Sequence, residues 1–427
     1  MQVEREIQVH ERLPFWKSLP LSLQHLFAMF GSTVLVPILF QVDPATILLM
    51  NGIGTLLYIF ITKGKIPAYL GSSFAFISPV FVVLGNYSGG EGYSYALGGF
   101  LAVGVVLVLI SLIIKIAGTA WLDVIFPPAA MGAIVAVIGL ELVPVAAQMA
   151  GLIKPDDAPA GWTPDFETVA VSLLTLGITI VCWVTLRGFL KIIPILIGIV
   201  SGYVIAAAFG MVDLSSVKEA PWFSLPEFYR MKFHWSDILV ILPAALVLIP
   251  EHIGHLLVTG NIVKKDLAKD PGLDRSLMGN GLSTILSSFV GSTPNTTYGE
   301  NIGVLAITRV YSTWVIGGAA VIAIFLSFFG KLAALISSIP QPVMGGISLL
   351  LFGIIGVTGI RMLVESKVDY SRSQNLILTC IVLAIGISGA TIHIGSVALK
   401  GMGLATIIAI LISLFFRLLE KFRLSNE

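Results

Sequence analysis

The chain has 427 residues, 56% of them hydrophobic and only 11% charged, with a net charge of +1. A soluble domain carries about 25% charged residues, so this composition excludes an ordinary globular fold in water and points to a helical protein with the bilayer as its solvent. The near-neutral balance contains no basic block that would suit nucleic acid. The two cysteines, Cys182 and Cys380, each lie in an apolar run and define neither a disulfide framework nor a metal site.

Taken in order, residues 1–19 are polar and charged, without the apolar core and small-residue cleavage site of a signal peptide. They read as a cytoplasmic segment. About fourteen apolar runs follow, over 20–41, 45–62, 72–84, 93–115, 128–148, 167–186, 191–211, 237–259, 277–291, 299–308, 310–332, 340–360, 374–390 and 402–420, with a short tail at 421–427. A regular transmembrane helix needs about 20 apolar residues. The third run, after Gly71, and the tenth, after Tyr298, are too short for that.

The basic residues orient the chain. With the N-terminus inside, only Lys154, Lys218, Arg230, Lys232, Lys331 and Lys400 fall in outer segments, which leaves nineteen of the 25 Lys and Arg inside. That asymmetry follows the positive-inside rule and places both termini in the cytoplasm. The connection 149–166, with Asp156, Asp157 and Asp165, reads as a polar linker, and the loop KKDLAKDPGLDR at 264–275 as a solvated hairpin.

The stretch GSTPNTTYGENIGVLAITR, Gly291 to Arg309, carries Pro294, two Asn, four Ser/Thr before Ala306 and Glu300 between apolar runs. Unsatisfied polar groups in hydrocarbon cost several kcal/mol each, so such backbone is expected only where it is buried in protein or lines a cavity. Non-helical backbone followed by a short helix from about Tyr298–Glu300 would aim free N–H groups and a positive dipole end at that cavity. This describes a site for a small polar solute.

A faint internal repeat supports the same plan. Gly71-Ser72-Ser73 before the third run resembles Gly291-Ser292-Thr293 before the tenth, and PPAAMGAI from Pro127 resembles PQPVMGGI from Pro340. Both pairs are separated by roughly half the chain. Two halves of seven spans must lie in opposite orientations, the inverted-repeat plan of many secondary transporters.

Ionisable groups inside a membrane are expensive and usually functional. Glu251 and His255 lie four residues apart on the eighth run, sharing one helix face, and Pro250 suggests a local kink that frees a carbonyl. His252 points elsewhere and reads as structural. Glu300 stands where a short helix would begin. His25 and Glu141 are weaker functional candidates, each of which could equally be a simple hydrogen-bonded link to a neighbouring helix, and Asp43, Asp123 and His393 read as interfacial. Near Gly71, which permits close backbone approach, Ser72, Ser73 and Ser78 can satisfy freed backbone groups, while Phe74 and Phe76 could wall a flat ring. No Walker-type loop, HExxH or nucleophile elbow occurs, so no enzyme is expected.

At these residues a family becomes visible. ENIGVLAITR, Glu300 to Arg309, is similar to the signature of the nucleobase–ascorbate transporter family, and Gln24-His25 matches that family's short motif in its first span. GKIPAYLGSSFAF from Gly64, PEHIGHL from Pro250 and STPNTTYGENIG from Ser292 resemble the bacterial uracil-permease branch. The resemblance, spanning about 19–419, implies an all-α polytopic membrane protein of fourteen spans in two inverted seven-span repeats. It implies a core domain (20–116 and 237–332), a gate domain (117–211 and 338–420), and third and tenth spans broken by short strands. It further implies that Phe74, Glu251, Tyr298, Gly299 and Glu300 bind a nucleobase, supported by His255, His25, Ser73 and Asn301. Uracil would be imported with a proton, loaded on Glu251 or Glu300, by alternating access through a homodimer in the lipid of a bacterial inner membrane, with no cofactor. In the purine-transporting branch the position of Glu300 is expected to hold a neutral amide, so Glu favours uracil. Phe352 departs from the tyrosine expected near the pocket mouth. The alternatives are a xanthine, urate or ascorbate carrier, a passive facilitator, or sodium in place of the proton.

Overall fold

The computed structural model describes residues 5–88, 90–155, 158–395 and 397–424. Asp156 and Asp157 of the polar linker, and the extreme ends of the two terminal segments, lie outside the described residues. The fold is mostly helical, and every apolar run of the sequence contains a helix. Among the described residues, eight helices are long and apolar enough to cross a membrane, or nine if Thr313–Leu326 and Gly330–Ser337, bent by 89°, form one span.

The distribution of polarity is that of a membrane protein. Phe60, Ile116, Val184 and Val364 are largely exposed on outward faces, whereas Asn51, Thr55, Ser283 and Asn295 are fully buried. In lipid the driving force for helix association is close packing, not expulsion of apolar surface from water, so small residues belong at the contacts. Gly104 on helix Glu91–Ala117 meets helix Leu273–Val290 so closely that a Cβ there would lie 2.7 Å from Ile285 Cγ1.

Two groupings of helices result. Phe15–Ala28, Pro44–Ile61, Glu91–Ala117, Leu273–Val290 and Thr313–Leu326 pack chiefly on one another. Pro128–Leu140, Phe166–Thr185, Pro194–Ala208, Gln341–Glu365, Ser373–Ile387 and Gly401–Lys421 form the second grouping. The helix Ala244–Val263 touches both. Its break lies at Leu242–Pro243, before which Trp235–Ile241 forms a short helix, and it runs on continuously through Pro250. Leu242 and Pro243, not Pro250, therefore divide the eighth run.

At the centre of the molecule the two short runs meet. Strand β1 (Leu70–Ser72) pairs antiparallel with a strand β2 (Asn295–Thr297), in the register Leu70↔Thr297, Gly71↔Thr296 and Ser72↔Asn295. A pair of three-residue strands is not stable by itself; here buried polar groups secure its backbone. Leu70 N donates to Thr55 Oγ1 at 2.9 Å, and Asn295 Nδ2 donates to Met50 O at 3.0 Å and Ser283 Oγ at 2.9 Å. Each strand runs into a short helix, β1 into Phe74–Gly85 and β2 into Gly299–Thr308. The structural counterpart of Gly71-Ser72-Ser73 is thus the stretch 296–298, a few residues beyond Gly291-Ser292-Thr293. The Pro127 and Pro340 motifs each open a helix, Pro128–Leu140 and Gln341–Glu365, and these pack antiparallel, Gly132 against Gly359 and Gly139 against Phe352.

Two features escape the sequence patterns. Strands β3 (Thr391–Ile394) and β4 (Val397–Lys400) form a hairpin before the last helix, and His393 lies exposed on β3. The N-terminal segment is more than a polar lead. Ile7 and Val9 are buried; Ile7 N donates to Arg309 O at 2.9 Å, Tyr311 N donates to Ile7 O at 2.8 Å, and Arg12 lies 3.6 Å over the Trp314 ring. The first helix starts at Phe15.

Candidate substrate site

The site is built where β1 and β2 end and the helix Ala244–Val263 passes them. Tyr298 is the last extended residue before Gly299–Thr308 and provides no side-chain cap. The first intrahelical bond runs from Ile302 N to Tyr298 O at 3.2 Å, so the N–H groups of Gly299, Glu300 and Asn301 have no acceptor within the helix. Gly299 and Glu300 line the cavity, so the dipole end lies where a bound acceptor would be favoured. On the opposite side Ser73 caps the turn Phe74–Phe76, accepting from Ala75 N at 3.3 Å.

A cavity of about 760 Å³ opens in front of these ends. Phe74, Glu251, His255, Tyr298, Gly299 and Glu300 all line it. The Tyr298 hydroxyl donates to Ser72 O, and its ring stands edge-on to Phe74 with centroids 5.7 Å apart. Gly71 makes room for that ring: a Cβ there would lie 3.1 Å from Tyr298 Cε2. Glu251 is half-buried, and its Oε2 atom is enclosed without a hydrogen-bond partner. His255 does not pair with Glu251; its Nδ1 lies 3.1 Å from Thr297 Oγ1. Its Nε2 sits beside Gly299, 3.6 Å from where a Cβ would stand.

The remaining expected residues stand behind this wall. His25 and Asn301 are buried and bonded to each other, His25 Nδ1 to Asn301 Oδ1 at 3.1 Å, which fastens the half-helix to the first helix. Ser73 is a backbone cap. Phe76 leaves the cavity and packs on Phe100, centroids 5.4 Å apart. His252 is structural, its Nε2 2.7 Å from Ser276 Oγ, which also meets the Tyr58 hydroxyl. Phe352 is fully buried and covers Phe74, centroids 5.9 Å apart. Glu141 links helices, accepting from Ser78 Oγ at 2.5 Å and Met402 N at 2.8 Å.

Several lining residues are absent from the candidates read from the sequence. Thr297 lines the cavity and holds His255; its place just before Tyr298 was the available signal. Val135 and Ile138 supply the facing wall. Arg361, Glu365 and Lys191 surround the far end, with Arg361 Nε 2.6 Å from Glu365 Oε1. Among the described residues no group of three His, Cys, Asp or Glu could hold a metal ion.

In chemical terms the strand-end side of the cavity offers the carboxylates of Glu251 and Glu300, the helix-end N–H of Gly299 and an aromatic edge. This set can accept hydrogen bonds from, and donate them to, a small flat polar solute.

Comparison with known proteins places this geometry in context. A family model described as "Permease family" matches residues 16–395. A protein named uracil permease from Paenibacillus larvae is 66% identical over 424 residues, covering 99% of this chain and all of that one. Proteins of the same name from Escherichia coli and Bacillus subtilis are 64% identical over 419 residues and 50% identical over 401, covering 98% and 92% of this chain and 96% and 91% of theirs. Among solved structures, the transmembrane domain of the cyanobacterial bicarbonate transporter BicA matches with a TM-score of 0.62 at 14% identity, over 96% of this chain and 99% of that one. SLC26A9 matches with a TM-score of 0.69 at 11% identity, over 96% of this chain and 66% of the other. At such identities the two structures share the fold alone.

Proposed function

Because this chain belongs to the permease family, we propose that it carries uracil across the bacterial inner membrane by proton symport with alternating access. It is a multi-pass membrane transporter and not an enzyme. Both termini are proposed to face the cytoplasm, on the distribution of Lys and Arg, and the working unit is proposed to be a homodimer.

One observation carries the reading: Glu251 and Glu300 face a single cavity beside the helix-end N–H of Gly299 and the ring of Phe74. Uracil is a flat neutral ring with two N–H donors and two carbonyl acceptors. Carboxylates accept from the former, helix-end N–H groups donate to the latter, and the aromatic ring covers a face. An analogue that leaves a buried polar edge unmatched loses about 1–3 kcal/mol per group, which supplies selectivity. The names of relatives 50–66% identical to this chain support the same substrate.

The proposed architecture is two inverted repeats of seven spans. The first helix grouping is the core domain, over 20–116 and 237–332. The second is the gate domain, over 117–211 and 338–420. The antiparallel strands β1 and β2, each leading into a short helix, and the antiparallel helices after Pro127 and Pro340 support the inversion. A proton loaded outside on Glu251 or Glu300 and released inside would bias the movement of core against gate.

Radiolabelled uracil uptake into proteoliposomes, with and without an inward proton gradient, tests this directly, with Glu300→Ala as control. Concentrative uptake that needs the gradient and is lost in the variant is the expected result. Equilibration without concentration would make the protein a facilitator, a sodium requirement would replace the proton, and uptake of xanthine, urate or ascorbate alone would overturn the substrate.

A further inference from the structure

The cavity lies to one side of its carboxylates. Along the helix Ala244–Val263 it reaches from Glu251 to Asn261 and Ile262, and along Gln341–Glu365 from Ile354 to Glu365. At about 1.5 Å rise per residue this is a path of roughly 15 Å. At the other end of the same helix, Ala244 lines a pocket of only about 20 Å³ with Ser78, Val240 and Met402.

Between the wide and the narrow side stand two contacts that join the half-helix after β1 to the second helix grouping. Phe74 meets the edge of Phe352. One helical turn on, Ser78 Oγ donates to Glu141 Oε1 at 2.5 Å. Phe352 and Glu141 are neighbours, because Gly139 packs directly against the Phe352 backbone.

The two attachments of Glu141 are unequal. Its Oε2 accepts from Met402 N at 2.8 Å, at the start of helix Gly401–Lys421, where a carboxylate meets the positive end of the helix dipole. A side chain at position 401 would strike that carboxylate, and Gly401 has φ +54°, a left-handed conformation that favours glycine. Glu141 and Met402 belong to one grouping, so their bond survives relative movement of the two. The Ser78 bond crosses between groupings, because the half-helix Phe74–Gly85 packs on Glu91–Ala117 of the first.

We propose that the Ser78–Glu141 hydrogen bond is the latch that closes the narrow side of the transport site, released when that side opens. It rests on the reading of this chain as an alternating-access transporter. Glu141 stays with the gate on its Met402 anchor, and Ser78 leaves with the half-helix that carries Phe74. Ligand-bearing and gate-bearing elements are thereby joined by one exchangeable bond one turn from the site.

The test measures access from both sides in the full-length protein, with Cys182 and Cys380 replaced by serine. Val240→Cys reports the narrow side and, in a separate variant, Thr358→Cys reports the open cavity, each labelled by a membrane-impermeant maleimide. Ser78→Ala is expected to raise labelling at Val240→Cys at least fivefold and to lower that at Thr358→Cys. Glu141→Ala behaves alike, whereas Glu141→Gln, whose amide can still bridge Ser78 Oγ and Met402 N, labels like the parent. Should Ser78→Ala lose its fold, Glu141→Asp, one methylene too short to span both partners, is read in the same way. Labelling unchanged within twofold in a folded variant that binds radiolabelled uracil overturns the latch alone. A labelling response in a parent protein that binds no uracil keeps the latch and removes the substrate reading.

Discussion

His255 Nδ1 lies 3.1 Å from Thr297 Oγ1, so a side chain of the long helix Ala244–Val263 is held by the last residue of the strand β2. The bond fixes the imidazole plane, leaving Nε2 beside Gly299 at the floor of the cavity. Thr297→Val keeps the branched shape suited to a strand and removes the hydroxyl. A lost hydrogen bond of this kind costs about 0.5–1.5 kcal/mol, so uracil KM should rise by up to about tenfold, with Thr297→Ser close to the parent. Uptake kinetics for the two variants decide it, and a KM in Thr297→Val equal to the parent's would show that the ring needs no such support.

Glu251 has an enclosed carboxylate oxygen without a partner, next to the cavity. If it, and not Glu300, carries the proton, it should tolerate Glu251→Gln for binding and lose coupling. Equilibrium binding of uracil within about tenfold of the parent, together with abolished gradient-driven accumulation, is the expected outcome. Accumulation that survives unchanged assigns the proton elsewhere.

Gly139 meets the backbone of Phe352 and Gly356, and Gly54 meets the side chains of Ser283 and Asn295. Neither site has room for a Cβ. Overpacking of this kind costs about 1–3 kcal/mol. Gly54→Ala should therefore lower the thermal unfolding midpoint in detergent and loosen the polar cluster behind β1 and β2. Gly303→Ala, where a Cβ would meet nothing within 4 Å, serves as control for stability.

The charged loop after Val263 predicts a pH effect of defined sign. Lys65 Nζ lies 2.5 and 2.7 Å from the two Asp270 carboxylate oxygens and holds that carboxyl below its ordinary value of 3.8. A depressed carboxylate adds stability above its unfolded pKa and loses it as pH falls through the folded value. The pair is exposed, so its effect is small. Asp270→Asn should lower the melting temperature slightly at pH 7, and the difference should shrink as pH falls below the carboxyl's ordinary value of 3.8. A difference that grows on acidification would contradict the pairing.

The legibility of the site followed its chemistry. Glu251 and Glu300 could be found because a carboxylate in an apolar run has few bland explanations. Tyr298 and Gly299 could be placed because Pro294, Asn and Thr cannot face lipid as helix. Composition alone left Phe74 and Phe76 alike and the family resemblance pointed to Phe74; packing puts Phe74 at the cavity and Phe76 on Phe100. Thr297 looked like one hydroxyl among four, and its selection depends on the register Leu70↔Thr297. Ile7 and Val9, in a charged segment, gave no periodic signal because a single bridge with Val310 has no period.

By itself the sequence determined that this chain lies in a membrane, that its third and tenth runs are not regular spans, and that carboxylates stand among apolar helices. Those facts follow from local composition, since the cost of a polar group in hydrocarbon does not depend on its distant neighbours. The tertiary structure decided which carboxylates share a cavity, that Glu141 bridges Ser78 and Met402 instead, and which side of the cavity is open. Such pairings join residues far apart in the chain, and their energies depend on distances of a few ångströms that close packing sets and local composition does not encode.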